Sequence, residues 1–268
     1  MTKMINDYPQ VVTIAGSDSD GSAGMQADLL TFFAKKVYGA SIVTACVAGN
    51  SFGIHDAVNM PTSFINQEFK DLSDDFKIKA AKTGMLADVE IINTVADNLK
   101  KYVFGPLVID PVIITKHGDM LLENEAYSTF VKKLIPLADV LTPNFFEAVK
   151  LSGINENDPD FQSKAAHKLQ QLGAKNIMVK GRHDDFSQTE VTDYVLLEDG
   201  SSFEMTGPYF DTTHKNGTGD TLSAAITAEL AKGASVENAI RSAKDYVDKC
   251  IKDGINVGHQ FGPINHWA

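Results

Sequence analysis

Residues 216–225 combine side chains and backbone types that could bind a phosphate and move a proton. Gly217 and Gly219 flank Thr218, and an alanine-rich stretch typical of a helix follows Asp220. Glycine lets consecutive N–H groups point to one side, and a helix N-terminus adds unpaired donors and a positive dipole end. We therefore predict that Gly217, Thr218 and Gly219 cradle an anion. Asp220 would then act as the general base for a hydroxyl that attacks a phosphate. The alternative is a glycine-rich turn before a helix that merely begins with an acid.

The elements that must position this segment alternate between short apolar runs and helical periodicity. We predict strands at residues 10–16, 40–48, 78–82, 107–110, 140–142, 176–180, 192–197 and 202–205. Helices are predicted at 24–36, 63–76, 88–101, 123–137, 161–172, 221–232 and 235–253. This order indicates one α/β domain over residues 1–268, with a mostly parallel sheet, helices on both faces and a late antiparallel hairpin.

Several polar or glycine residues lie at the carboxyl ends of predicted strands, where ligands bind in parallel sheets. They are Gly16, Lys82, Asp110, Asn144 and Lys180. Lys180 ends an apolar strand, so its ammonium would be costly there unless it met an anion. We assign it to a phosphate. Asp110 could simply cap its strand.

The composition is that of an ordinary globular chain of 268 residues with a net charge of −11. This acidic balance argues against a nucleic acid or an anionic membrane as partner. No run of about 18 apolar residues and no signal-peptide core is visible. Cys46 and Cys250 are far apart and indicate free thiols rather than a disulfide framework. We expect a cytoplasmic enzyme.

The motifs resemble those of a known superfamily. Residues 216–225 resemble the anion-hole signature of the ribokinase superfamily, and residues 15–29 are similar to the opening of its hydroxymethylpyrimidine kinase and pyridoxine/pyridoxal kinase branch. Further blocks resemble that branch in the same order: Lys82-Thr83-Gly84-Met85-Leu86, Asp110-Pro111-Val112, Thr142-Pro143-Asn144 with Glu147, and Val179-Lys180-Gly181. The resemblance implies a ribokinase-like three-layer α/β/α fold, use of ATP and Mg²⁺, a small heterocyclic alcohol as substrate, and a homodimer as a possible assembly.

The resemblance also implies roles for individual residues. Asp110 and Glu147 would support Mg²⁺, and Asn144 would help to position its waters and the phosphates. Lys180, Gly219 and Lys215 would contact ATP, although Lys215 could equally be a solvated loop lysine. By position, the acceptor pocket would consist of Gly16, Asp28, Gly49, Met85 and Val112. Residues 18–23 and 113–122 are candidate lids.

Three positions depart from the branch pattern. Cysteine is common where this chain has Asp220, and histidine is usual where it has Asn216. Hydroxymethylpyrimidine kinases usually have glutamine where Gly49 stands, and glutamine can pair with an aminopyrimidine. We therefore expect an ATP-dependent kinase of a vitamin B6 vitamer. The alternatives are hydroxymethylpyrimidine or its monophosphate in thiamine synthesis, more remotely a sugar, or a non-catalytic nucleotide-binding protein.

Overall fold

The computed structural model describes residues 7–113, 122, 124–183 and 187–268 and contains a nine-stranded sheet. Its strands are β1 (Gln10–Asp18), β2 (Tyr38–Asn50), β3 (Gly53–Asn59), β4 (Ile78–Thr83), β5 (Leu107–Ile109), β6 (Val140–Leu141), β7 (Asn176–Val179), β8 (Glu190–Leu196) and β9 (Ser202–Pro208). They are ordered β3-β2-β1-β4-β5-β6-β7-β8-β9. The central six strands are parallel, whereas β3, β8 and β9 pair antiparallel with their neighbours.

Eight α-helices of the described residues cover the sheet. They are α1 (Gly24–Ala34), α2 (Thr62–Asp75), α3 (Val89–Lys101), α4 (Asn124–Lys133), α5 (Phe145–Ser152), α6 (Phe161–Gln171), α7 (Thr218–Ala231) and α8 (Val236–Lys252). A short 3-10 turn, Ile135–Leu137, follows α4. Within this part of the chain, no helix is both long and apolar enough to span a bilayer.

Alternating apolar residues on the strands explain the three layers. Val12 and Ile14 of β1 pack into the core that contains α2 to α6, whereas Val11 packs with α1 and α7. Val108 likewise faces α7 and α8, while its neighbour Ile109 faces the opposite layer. Successive side chains of a strand point to opposite faces, so the fully apolar strands require helices on both sides. The predicted three-layer α/β/α fold is confirmed.

Two elements differ from the sequence prediction. The late hairpin at β8 and β9 was expected, but β3 was not, because its side chains are exposed and show no buried alternation. Helix α5 was also missed, since eight residues are too few to establish a helical period. Its start is nevertheless visible in the sequence: Asn144 and Glu147 form a capping box.

Candidate active site

The N-terminus of α7 is open to an anion. Gly217 is the N-cap residue, with a φ of 76°, and no described side chain caps the helix. The Thr218 hydroxyl donates to the carbonyl of Lys215 over 2.8 Å, which holds the preceding segment against the first turn. The uncapped amides of this turn and the positive dipole end suit a phosphate. The segment therefore has the geometry that its glycines predict.

Gly217 is required here by close packing as well as by its backbone angle. A Cβ atom at this position would lie 2.0 Å from the carbonyl oxygen of Ser22. The loop that follows β1 is therefore pressed directly against the start of α7. This contact joins the two glycine-containing motifs of the sequence.

We expect Gly217→Ala to lower the free energy of unfolding by at least about 1–2 kcal/mol, since alanine is strained at positive φ, and to lower activity as well. Gly233→Ala is a matched control, because Gly233 follows the same helix with a φ of 90° and has open space where its Cβ would lie. Urea unfolding compares the two variants. An equal loss of stability in both would show that the Ser22 contact contributes nothing.

An acid–lysine pair faces this helix end from the neighbouring strands. The Lys180 ammonium, just past β7, lies 3.3 Å from Oδ1 of Asp110, just past β5. A Cβ atom at Gly219 would lie 3.2 Å from Oδ2 of Asp110 and 3.4 Å from Nζ of Lys180. Burial disfavours the ammonium, but the carboxylates of Asp110 and Glu147 outweigh it and raise the pKa of Lys180. A permanent positive charge thus stands beside the open helix end.

Glu147 connects this pair to α5. Its Oε2 accepts the Asn144 N–H at 2.8 Å, and its Oε1 accepts the Ile113 N–H at 3.0 Å. Asn144 Oδ1 in turn accepts the Glu147 N–H at 2.9 Å. Burial raises the pKa of Glu147 to about 7, and the nearby Asp110 carboxylate adds to this effect. The predicted metal residues Asp110 and Glu147 therefore lie in one buried acidic group beside the anion site.

The few carboxylates of this site suit a magnesium ion that keeps most of its waters. The described residues contain no group of three or more His, Cys, Asp or Glu side chains that could enclose a metal by themselves. Mg²⁺ commonly binds through one or two carboxylates, waters and substrate phosphates. Oδ2 of Asp110, facing Gly219, is in the right place for such a role.

Asp220 is held by two donors in the first turn of α7. Its Oδ1 lies 3.0 Å from Nζ of Lys82, and its Oδ2 accepts the Gly24 N–H at 3.1 Å. Burial would raise the pKa of this carboxyl, but Lys82 and the Gly24 N–H outweigh it and lower the pKa below its usual value. Asp220 is therefore ionised near neutral pH and partly accessible, with 17% of its side chain exposed.

Lys82 is the site residue to which the sequence analysis gave no role. Its side chain is fully buried, and Nζ also contacts Oδ1 of Asp28 at 2.6 Å. Asp28 Oδ2 accepts the Thr13 hydroxyl at 2.5 Å. The signal was present in the sequence, because Lys82 ends a predicted apolar strand just as Lys180 does. What the sequence could not provide was the identity of its two carboxylate partners.

The proposed acceptor residues are only partly brought together. A Cβ atom at Gly16 would lie 2.6 Å from Cε of Met85, and one at Gly84 would lie 3.7 Å from Oδ1 of Asp220. Gly16 and Met85 therefore meet close to Asp220. Val112 has a φ of 46°, a strained conformation for a β-branched residue, directly after Pro111.

Asp28 and Gly49 lie differently from expectation. The carboxylate of Asp28 is fully buried and both its oxygens are engaged inside the protein, so it does not line an open pocket here. Gly49 lies in the β2–β3 pairing, where a Cβ atom would be 2.9 Å from the carbonyl oxygen of Gly53. Backbone packing is thus sufficient reason for a glycine at position 49, which removes the argument that it marks a pyridine substrate.

Lys215 and the two candidate lids are the remaining predicted parts of the site. The Lys215 ammonium lies over the ring of Tyr209, 5.6 Å from its centroid, so its contact with ATP stays a prediction. Of the candidate lids, residues 18–23 form a loop that donates and accepts hydrogen bonds within itself. The second, 113–122, lies outside the described residues except for Ile113 and Leu122.

Sequence comparisons with known proteins agree on one family of kinases. A family model described as phosphomethylpyrimidine kinase matches residues 18–265. The hydroxymethylpyrimidine/phosphomethylpyrimidine kinase of Haemophilus influenzae is 47% identical over 265 residues, which are 98% of each chain.

Two solved structures are similar over nearly the whole chain. The pyridoxal kinase of Bacillus subtilis in an ADP complex has a TM-score of 0.87 and 35% identity, covering 97% of this chain and 98% of its own. The pyridoxal kinase of Staphylococcus aureus in complex with AMP-PCP has a TM-score of 0.89 and 32% identity, covering 98% and 95%.

Proposed function

Because the chain belongs to the phosphomethylpyrimidine kinase family, we propose that it transfers the terminal phosphate of ATP to hydroxymethylpyrimidine and then to the resulting monophosphate. The observation that carries this proposal is the ionised Asp220 at the open N-terminus of α7, beside the Asp110–Lys180 pair. A proton acceptor, an anion cradle and a fixed positive charge are what phosphoryl transfer to an alcohol requires. Binding of adenine nucleotides by the similar S. aureus kinase supports ATP as donor.

The choice of acceptor reverses the first expectation from the sequence. The comparisons favour the pyrimidine alternative over a B6 vitamer, because the 47% identical relative is named for the pyrimidine reaction. The B6 argument rested on Gly49, where the backbone of Gly53 leaves too little room for a Cβ atom. Pyridoxal is the second candidate, since the similar solved structures of B. subtilis and S. aureus are pyridoxal kinases.

In the proposed mechanism, the terminal phosphate lies at the first-turn amides of α7. Lys180 stabilises the negative charge on the transferring phosphoryl group, and Gly219 leaves room for it between the helix and the Asp110–Lys180 pair. Asp220 accepts the proton as the acceptor oxygen forms its bond to phosphorus and the bond to the leaving ADP breaks.

Asp110, with Glu147 behind it, would hold Mg²⁺, which when bound would neutralise charge on the phosphates. Contacts of Asn144 and Lys215 with nucleotide belong to the same proposal. A homodimer, a cytoplasmic location and a single domain over the whole chain stay predictions.

The acceptor is tested by ADP release measured side by side with hydroxymethylpyrimidine, pyridoxal and pyridoxine. We expect the highest kcat/KM with hydroxymethylpyrimidine, and mass spectrometry should then show a monophosphate followed by a diphosphate. A pyridine vitamer does not carry the ring amine of the pyrimidine, so the site groups that bind this amine would stay unpaired. An unpaired buried polar group costs about 1–3 kcal/mol, or roughly ten- to two-hundredfold in kcat/KM. Higher efficiency with any B6 vitamer would contradict the assignment.

A further inference from the structure

A continuous line of buried polar groups leads from β1 to the base. It runs from the Thr13 hydroxyl on β1 to Asp28 on α1, to Lys82 on β4, and to Asp220 on α7, with distances of 2.5, 2.6 and 3.0 Å. We refer to the last three residues as the buried triad. The side chains of Asp28 and Lys82 have no exposed surface, and only Asp220 reaches the site. Groups from four separate elements therefore form one line of contacts, and two carboxylates meet at the Lys82 ammonium.

The geometry leaves Lys82 little freedom. An ammonium in a fully buried position is strongly disfavoured without partners, and Asp28 and Asp220 supply them on two sides. Asp28 is itself fixed by the Thr13 hydroxyl. The Gly24 N–H holds the other oxygen of Asp220, so both oxygens of the base are held from the protein side.

We propose that Lys82 is a positioning residue, which orients the carboxylate of Asp220 towards the acceptor and keeps it charged, and that Asp28 anchors Lys82 rather than binding the acceptor. This inference rests on the proposed role of Asp220 as the base. It assigns a role in the reaction to two residues that lie beneath the site.

The charged groups around Asp220 determine how each substitution should change its pKa. Lys82 on β4 and Lys180 after β7 lower its pKa. Asp28 on α1, Asp110 after β5 and His266 near the C-terminus also face this group of charges. Burial raises the pKa of Asp28 to about 7 even with Lys82 beside it. Without Lys82, Asp220 would lose its opposite charge and remain beside a second buried acid, so the pKa of Asp220 would rise. Without the charge of Asp28, Lys82 would form an ion pair with Asp220 alone, so the pKa of Asp220 would not rise.

The test is the pH dependence of kcat/KM, measured with whichever acceptor the wild-type enzyme phosphorylates. We expect Lys82→Met to move the acid limb upward by about one pH unit or more, and Asp28→Asn to leave it at or below the wild-type position. The double variant should lie between wild type and Lys82→Met, because the second carboxylate is gone. Titration of ATP and of the acceptor is common to all variants and cancels in the comparison.

Lys35→Met is the matched control. The Lys35–Glu229 pair, at 2.7 Å, joins the ends of α1 and α7 away from Asp220, and its side chains are 14% and 16% exposed. Its loss should lower the melting temperature without moving the acid limb. Affinity for AMP-PCP, measured by calorimetry, should stay within about twofold of wild type in every variant, because the first-turn amides of α7 and the Asp110–Lys180 pair, to which we assign the phosphates, are left unchanged.

A wild-type acid limb in a folded Lys82→Met enzyme would overturn the proposal and leave Lys82 a structural residue. If Lys82→Met does not fold, the double variant decides: its limb must lie above that of wild type, and an equal limb overturns the proposal. These outcomes are separate from failure of the proposed function. A different preferred acceptor alters only the substrate in the assay, whereas full activity of Asp220→Asn removes the base role itself.

Discussion

Asp220→Asn is expected to lower kcat by a factor on the order of 10² to 10⁴. The amide has nearly the shape of the carboxylate but cannot accept the proton from the attacking hydroxyl. It also places a donor against either Lys82 or the Gly24 N–H, both of which donate to the carboxylate in the native protein. The substitution leaves the first-turn amides of α7 and the Asp110–Lys180 pair in place, so affinity for AMP-PCP should change little.

Single-turnover kinetics with saturating ATP measures this loss separately from product release. Asp97→Asn, an exposed carboxylate on α3, is the control for a neutralised surface charge and should retain the wild-type kcat. Near-full turnover of Asp220→Asn would exclude the base role. It would also mean that the hydroxyl proton leaves by a route that does not involve this side chain.

Gly219→Val is expected to lower kcat by a factor on the order of 10² to 10³, comparable to the loss of an oxyanion-hole donor. Its side chain would enter the space between the α7 N-terminus and the Asp110–Lys180 pair, where a Cβ atom already lies 3.2 Å from Asp110. The backbone of Gly219 is not in the left-handed region, so the substitution should cost activity more than stability.

Comparison with Gly219→Ala should give a graded effect, because a single methyl group fills less of the phosphate space. Gly254→Val is the control, since the nearest atom to a Cβ there is the Ile251 carbonyl oxygen at 3.7 Å. The measurements are kcat, affinity for AMP-PCP and melting temperature. A stable enzyme with full activity would show that the glycine does not make room for phosphate.

The sequence by itself determined the layered α/β fold and the edge of the sheet at which the candidate site lies. Fully apolar strands such as β5 need helices on both faces, and polar residues just after them, such as Asp110, can only lie at the carboxyl edge. The glycine pattern before Asp220 likewise predicts an open helix start, because backbone freedom and helix polarity are local properties.

The tertiary structure alone decided which charges meet. Lys82 and Asp28 are 54 residues apart in the chain, and Lys82 and Asp220 are 138 apart, so no local pattern could pair them. At Gly49 the sequence suggested a function where the tertiary structure gives a packing reason. Its missing side chain suggested a specificity, whereas the close approach of Gly53 across the β2–β3 pairing provides a steric reason. The chemistry of the side chains and the period of the apolar residues follow from the sequence. Burial and charge compensation depend on contacts between distant segments.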